Sequence, residues 1–210
     1  MVFLQGPYVL QSLEMMTRRS VLSLLASAPV VLAQSSTGKT RGIPMAAMML
    51  ELYSDFQCPA CKALHEQTIK PLITDYVDKG KVYLIHREFP LPIHQYAREA
   101  ACYVCAAGRL GKYDQAADAL FSQQDSWSKT GNIELALSTI LTPAEAKRVK
   151  VLAKSPEILA DIEKDTQKGR DAKLQQTPTM IFSHKGKTFP VAGIVSYPIL
   201  RRFIDQQLAS

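Results

Sequence analysis

The chain has 210 residues, 47% of them hydrophobic, which is enough for a domain with a buried core. Its formal charge of +6 comes from Lys and Arg dispersed along the sequence. No basic run is interleaved with aromatics, which argues against nucleic-acid binding, and no repeat or low-complexity tract suggests a solenoid or a long disordered span.

The first informative stretch is "MTRRSVLSLLASAPVVLAQ", with two arginines, an apolar run from Val21 to Ala33, and the small-residue ending Val31-Leu32-Ala33. That is the order of a secretory signal, so 1–33 is expected to be removed after Ala33. Its apolar run is shorter than the ~20 residues of a membrane-spanning helix. Thr17-Arg18-Arg19-Ser20-Val21-Leu22 is also similar to a twin-arginine export signal. Residues 1–14 fit no part of a signal, and Met15 or Met16 is the expected start. Losing Arg18, Arg19 and Glu14 takes away +1 and leaves about +5 on the mature chain. Export implies an oxidising compartment.

Segment 34–46 is polar and carries Gly and Pro, the composition of a linker. An apolar strand follows over 48–53. The spacing of Leu64, Thr68, Ile69, Leu72, Ile73, Tyr76 and Val77 predicts a helix over 59–79, kinked or broken at Pro71 and ended by Gly80. "KVYLIHREF" is a second strand. Residues 94–174 then turn helical, with helices over 95–107, 113–121 and 133–141. Another helix starts at the Thr142–Glu145 capping box and one more at Ser155-Pro156. Strands return at "PTMIFS" and "TFPVA", joined by a turn at Lys185-Gly186, and a helix over 198–208 closes the chain. The order is β-α-β, about 80 residues of helix, then β-β-α.

The chemistry is concentrated in "YSDFQCPACK". Cys58 stands after a strand and before a helix, with Pro59 at the first helical position, so Cys58 is the expected N-cap. Its sulfur then faces the free N–H groups of Ala60 and Cys61 and the positive end of the helix dipole. Thiolates so placed ionise at ~3.5–7.5 rather than ~8.5. Cys58 is therefore the expected exposed nucleophile, and Cys61, a turn deeper, the thiol that resolves a mixed disulfide.

"LYSDFQCPACK", followed far downstream by "QTPTMIF", resembles the DsbA-like thiol–disulfide oxidoreductases of the thioredoxin superfamily. "REFPLPIH" and "GKYDQAADALF" extend the likeness over about residues 45–208. The resemblance implies an α/β thioredoxin-like fold over 47–92 and 175–210, with a helical domain, 93–174, inserted after the second strand. It also implies a cis Thr177–Pro178 peptide facing the cysteines, with the Thr177 backbone pairing to a substrate strand. An X-Pro bond is the one that adopts cis at modest energy, and extended peptides bind by pairing to exposed edges. The implied partners are reduced or unfolded exported polypeptides and a membrane quinone-linked thiol oxidase that restores the disulfide, with no bound cofactor. Isomerases of this fold usually add a dimerisation domain, and 34–46 is too short for one. A monomeric oxidase is therefore expected over a reductase or isomerase.

Two departures from that pattern bear on the mechanism. Similar proteins often carry a buried acid six positions before the first cysteine, and that position here is Leu52. Glu51 lies one residue earlier, on the opposite face of a regular strand, so it relays a proton only if a bulge turns it; Asp55 is the other acid close to the pair. Between the cysteines stand Pro59 and Ala60, and Ala60 brings no polar group to the thiolate, which predicts a milder oxidant.

The four cysteines follow C-x2-C-x40-C-x2-C, a spacing that also allows a zinc module. "EAACYVCAAG" is alanine-rich and helical, however, where zinc knuckles prefer short Gly-rich turns. A purely structural Cys58–Cys61 disulfide would constrain little of the unfolded chain. A cysteine–histidine hydrolase would have no use for Cys61. His65 is expected at the surface, and His86, His94 and His184 carry no sign of proximity to Cys58. Cys102 and Cys105 share a helix face as expected packing thiols, with a structural disulfide and a second catalytic pair as alternatives.

Overall fold

The structure, a computed structural model, describes residues 38–210. The expected signal region therefore lies outside the described residues. Five strands form one sheet in the order β1-β3-β2-β4-β5: β1 Thr40–Arg41, β2 Met48–Ser54, β3 Val82–Glu88, β4 Thr179–His184 and β5 Lys187–Ala192. β2 and β3 are parallel, as their helical connection requires, and every other pairing is antiparallel. β1 falls inside the segment read as a linker. Two residues paired to β3 are too few to leave a hydrophobic pattern in the sequence.

Alternation along β2 decides what covers each side of the sheet. Met48, Leu50 and Leu52 are buried with Val82 and Leu84 of β3 and Met180 and Phe182 of β4, in a core that includes Leu64, Leu72, Leu200 and Ile204. The last two come from α9, Tyr197–Ala209. Glu51 and Tyr53 occupy the alternate positions, and Tyr53 meets Phe89 edge to face at 6.1 Å. Against these rings lies α8, Pro156–Asp171, at Gly169, where a Cβ would fall 2.5 Å from the Phe89 ring. Only glycine permits that approach.

Pro71 neither breaks nor ends the first helical run. The run starts as α1, Pro59–Leu64, widens into π-turns at His65–Ile69 and Ile73–Val77, and passes Pro71 in α2, Lys70–Leu72. Proline lacks a donor and crowds the carbonyl four residues back, and π-turns relieve that by shifting bonds one residue further. The N–H of Lys70 accordingly bonds His65 O, and that of Asp78 bonds Ile73 O.

A second core belongs to the helical block: α3 Ala97–Gly108, α4 Tyr113–Ser122, α5 Gln124–Thr130, α6 Ile133–Leu137, α7 Pro143–Leu152 and α8. Trp127, Leu120, Phe121 and Ile162 pack there, and Phe56, Cys58 and Cys61 belong to the same cluster. The cysteines therefore sit where the sheet's first helix meets the inserted helices. The Thr142 capping box forms as the sequence predicts, with Thr142 and Glu145 bonding reciprocally. Helix 133–141 is shorter than its pattern, and α5 lacks a pattern altogether because only Gln124 and Trp127 of its residues are buried.

Charged groups tie β2, β3 and the residue just before β1 to α8. Lys39 is 2.7 Å from Asp161 and 2.6 Å from Asp165, and Arg87 bridges Asp165 and Glu51. Beside them Glu88, fully buried, accepts a 2.6 Å hydrogen bond from the Tyr113 hydroxyl. Burial pushes its carboxyl up to about 7, against the opposing pull of Lys39 and the Tyr113 bond. Between an unfolded value near ~4.3 and that folded value, the native state keeps a proton that the unfolded chain has lost. Stability therefore falls as pH rises through this window, by about 4 kcal/mol in all. Glu88→Gln should remove the slope, denaturing later than wild type at pH 8 and losing that advantage toward pH 5 in denaturant titrations.

Candidate active site

The chain leaves β2 at Ser54 and enters α1 at Pro59, and the four residues between are pinned from several sides. Asp55 accepts the N–H of Gln57 at 2.7 Å and that of Leu91 at 2.8 Å, and its second oxygen also lies 2.8 Å from His94 Nδ1. Gln57 bonds the N–H of Tyr96 and the carbonyl of Ser128. Gln124 donates to the carbonyls of Phe56 at 2.7 Å and Cys58 at 3.0 Å. The cysteine loop is thus fixed by residues far away in sequence. His94, Gln57 and Gln124 left no signal in the sequence beyond being polar.

Cys58 takes the N-cap conformation, φ −77° and ψ 120°, with Pro59 next in the helix. The residue is only 7% exposed, so the expected open nucleophile is a nearly covered one; Cys61, at 1%, is deeper still. The two thiols are pulled apart in acidity. Cys58 is lowered to about 5, first by the Cys61 thiol donating to it, then by Thr177 and by the N–H groups of Cys61 and Ala60, against the cost of burial. Cys61 is pushed well above its usual value, first by burial and then by the neighbouring Cys58. The N–H of Asp55 points at its sulfur from 3.4 Å.

Thr177 lies across from the pair. The Thr177–Pro178 peptide is cis, and the Thr177 carbonyl is 3.5 Å from Cys58 Sγ. Its hydroxyl is buried, has no other hydrogen-bond partner, and can turn its proton to the thiolate. Thr177→Val should raise the Cys58 pKa by about 1 unit, in line with one bond to a charged acceptor, as read from the pH dependence of alkylation.

Glu51 stays away from the sulfurs. It points to the Tyr53 side of β2, where Arg87 at 2.7 Å and Lys168 at 2.6 Å hold its carboxyl below the usual range despite burial. Leu52 faces the apolar core. His65 differs from its expected surface position: it is 7% exposed, stacks on Phe121 at 4.7 Å and pairs with Asp118 at 2.7 Å.

All four cysteines are free thiols. Cys102 and Cys105 are buried inside α3, with Cys102 pushed up to about 11 by burial and Cys105 raised well above its usual value, first by burial and then by Glu88 at 3.8 Å. Neither gains an N-terminal helix position. No group of three or more His, Cys, Asp or Glu among the described residues is placed to hold a metal.

A nearly covered thiolate and a proton-bearing thiol at one helix start, packed beside a parallel β-α-β unit with two antiparallel strands, define a thioredoxin-type redox fold. Residues 34–205 match the family model described as thioredoxin, and the chain belongs to that family. A probable disulfide bond formation protein D of Bacillus anthracis is 26% identical over 154 residues, 69% of each chain. Pseudomonas aeruginosa DsbA2 superposes with a TM-score of 0.64 at 27% identity, covering 80% of this chain and 93% of that one. Wolbachia pipientis alpha-DsbA1 superposes with a TM-score of 0.69 at 20% identity, covering 81% and 90%. The fold is DsbA-like, and the chain is a protein disulfide oxidoreductase that acts on thiol substrates.

Proposed function

We propose that the chain works as an exported dithiol oxidase, with Cys58 as the sulfur that exchanges with substrate and Cys61 as its buried partner. The carrying observation is the split between the two thiols, Cys58 pulled down to about 5 and Cys61 pushed above its usual value. A stabilised Cys58 thiolate favours the reduced pair, so the Cys58–Cys61 disulfide is readily given away. Acidity between that of reductases, near ~7, and of the strongest oxidants, near ~3.5, suits a milder oxidant, as Ala60 suggests.

A substrate thiolate attacks Cys58 Sγ, Cys61 leaves, and a second substrate thiolate displaces Cys58, so two electrons pass to the protein and a disulfide forms in the substrate. The substrates in this reading are reduced or unfolded exported polypeptides, with the Thr177 backbone beside Cys58 as the edge they pair to. The reoxidant is a membrane quinone-linked thiol oxidase, and the working unit is a periplasmic monomer released by cleavage after Ala33. Its thioredoxin-like part spans 47–92 and 175–210 around the helical insert 93–174. Acid-trapping the thiols in growing cells, followed by fractionation, tests the direction. An oxidase is recovered outside the cytoplasm with Cys58–Cys61 disulfide-bonded; recovery as the dithiol would indicate a reductase or isomerase.

A further inference from the structure

Thiol exchange at Cys58 makes a demand on Cys61 that the substrate face does not meet. Each turnover must add a proton to, or take one from, the sulfur of a residue that is 1% exposed. Cys61 borders a narrow cavity whose wall includes Ser54, His65, His86, Tyr113 and Phe121 but neither Cys58 nor Thr177. It is roomy enough for about one water; Leu52, Phe56 and Leu64 make most of its wall apolar, while Ser54, His65, His86 and Tyr113 supply polar partners for a water. His86 Nε2 is buried there with no hydrogen-bond partner. His65 and His86 also line a second cavity of about 240 Å³, more open, which is bordered by Arg41, Lys70, Asp114 and Asp118. The two histidines thus stand in both walls, between Cys61 and solvent.

We propose that His65, oriented by Asp118, carries the Cys61 proton to and from solvent through these cavities, in the role that Leu52 leaves unfilled. Cys61 and His65 are four residues apart on one helical run and so share a face. Asp118 is held below the usual carboxylate range, first by its bond to His65, so it is an anion that fixes the proton on His65 Nε2 and leaves Nδ1 to accept. Phe121 fixes the ring plane from 4.7 Å. His86 is the weaker choice, because burial lowers it to about 3 and it stays neutral; it serves as a hydrogen-bond partner for the intervening water. The remaining charged or titratable groups on this side are Lys70 on the same run, Tyr113 and Asp114 on α4, Arg87 on β3 and Arg41 on β1.

During oxidation of substrate, the Cys58–Cys61 bond breaks, Cys61 leaves as a thiolate, and protonated His65 returns a proton to it through the water. In the reverse step, neutral His65 takes the proton, the Cys61 thiolate attacks Cys58 Sγ, and the bond from Cys58 to the bound thiol breaks. The released thiolate takes its proton from solvent. This inference rests on Cys61 being the resolving thiol, and the test separates the two claims.

Reduced protein is mixed with excess oxidised glutathione, so that the Cys58 thiolate takes one half as a mixed disulfide and releases the other, and release of the second glutathione as Cys58–Cys61 closes is followed in single turnover across pH. In wild type, release should rise with pH through an inflection that His65→Gln abolishes, with a loss of about 10²-fold at pH 7 that closes as pH ionises Cys61 directly. Asp118→Asn should shift that inflection, and added imidazole should partly restore His65→Ala. The Cys58 thiolate titration of His65→Gln should match wild type. An unchanged profile in His65→Gln, an equal slowing at every pH without imidazole rescue, or an inflection abolished by His86→Asn instead would overturn the proposal. If His65→Gln fails to fold, Asp118→Asn carries the test on the shift alone. Release at the wild-type rate from Cys61→Ala would sink the resolving role of Cys61 and leave the proton path without a purpose.

Discussion

Cys58→Ala should leave no measurable dithiol oxidation, while Cys61→Ala should accumulate Cys58-linked mixed disulfides with its substrates. The asymmetry follows from placement. Cys58 is the sulfur beside Thr177 and the helix N-terminus, whereas Cys61 is closed off behind Phe56 and His65. A thiolate is the attacking species, and at pH 7 only Cys58 is one. Removing it takes away both the attacked sulfur of the disulfide and the nucleophile of the dithiol. Removing Cys61 leaves a Cys58 thiolate that still opens a disulfide-bonded substrate but takes away the thiol that resolves the mixed disulfide, and non-reducing gels of each variant with oxidised and reduced substrate read both outcomes. The Cys102→Ala, Cys105→Ala double variant should keep most of the activity, because both of those thiols are buried and protonated.

The second large effect is a pH-dependent gap in stability between reduced and oxidised protein. Only the reduced form has a Cys58 thiol to titrate. Its folded value of about 5 lies below the ~8.5 of an unfolded cysteine, so between these limits the unfolded chain binds one proton more. The stabilisation of the reduced form is complete above the unfolded value and lost as pH falls through about 5. From pH 5.5 to 8 the free energy of unfolding of the reduced form should climb relative to the oxidised one by about 1.4 kcal/mol per pH unit. Cys61 adds little up to about pH 7.5, where it is protonated in both states, and it begins to oppose the trend as pH approaches the ~8.5 of an unfolded cysteine. The Cys58–Cys61 loop-closure contribution shifts the gap by a constant and leaves its slope alone. Denaturant titrations of both forms across pH supply the slope, and a flat difference would remove the thiolate from the account.

Local chemistry made the centre of the site legible in the sequence. A cysteine before a proline after a strand is an N-cap by its own backbone preferences, and Thr142 and Ser155 announced their helices in the same way. What the sequence hid was set by distant partners. The short strand β1 exists because Arg41 and Thr40 meet β3, and Lys39 is buried only because Asp161 and Asp165 wait on α8. His65 has the sequence context of a surface residue, yet Phe121 and Asp118, more than fifty residues away, enclose it. Asp55 was legible as an acid near the cysteines but not as the residue that ties their loop to Leu91 and His94. Pro71 predicted a kink or a break, and the run instead continues past it through π-turns, an outcome that single-residue rules do not encode.

The central claim is that Cys58 is held as a thiolate at neutral pH, and the ultraviolet thiolate absorbance of the reduced protein across pH tests it most directly. One sulfur should ionise with a midpoint near 5, and that transition should vanish in Cys58→Ala and persist in Cys102→Ala, Cys105→Ala. A first midpoint near the ~8.5 of a free thiol, or a low transition that survives in Cys58→Ala, would contradict it.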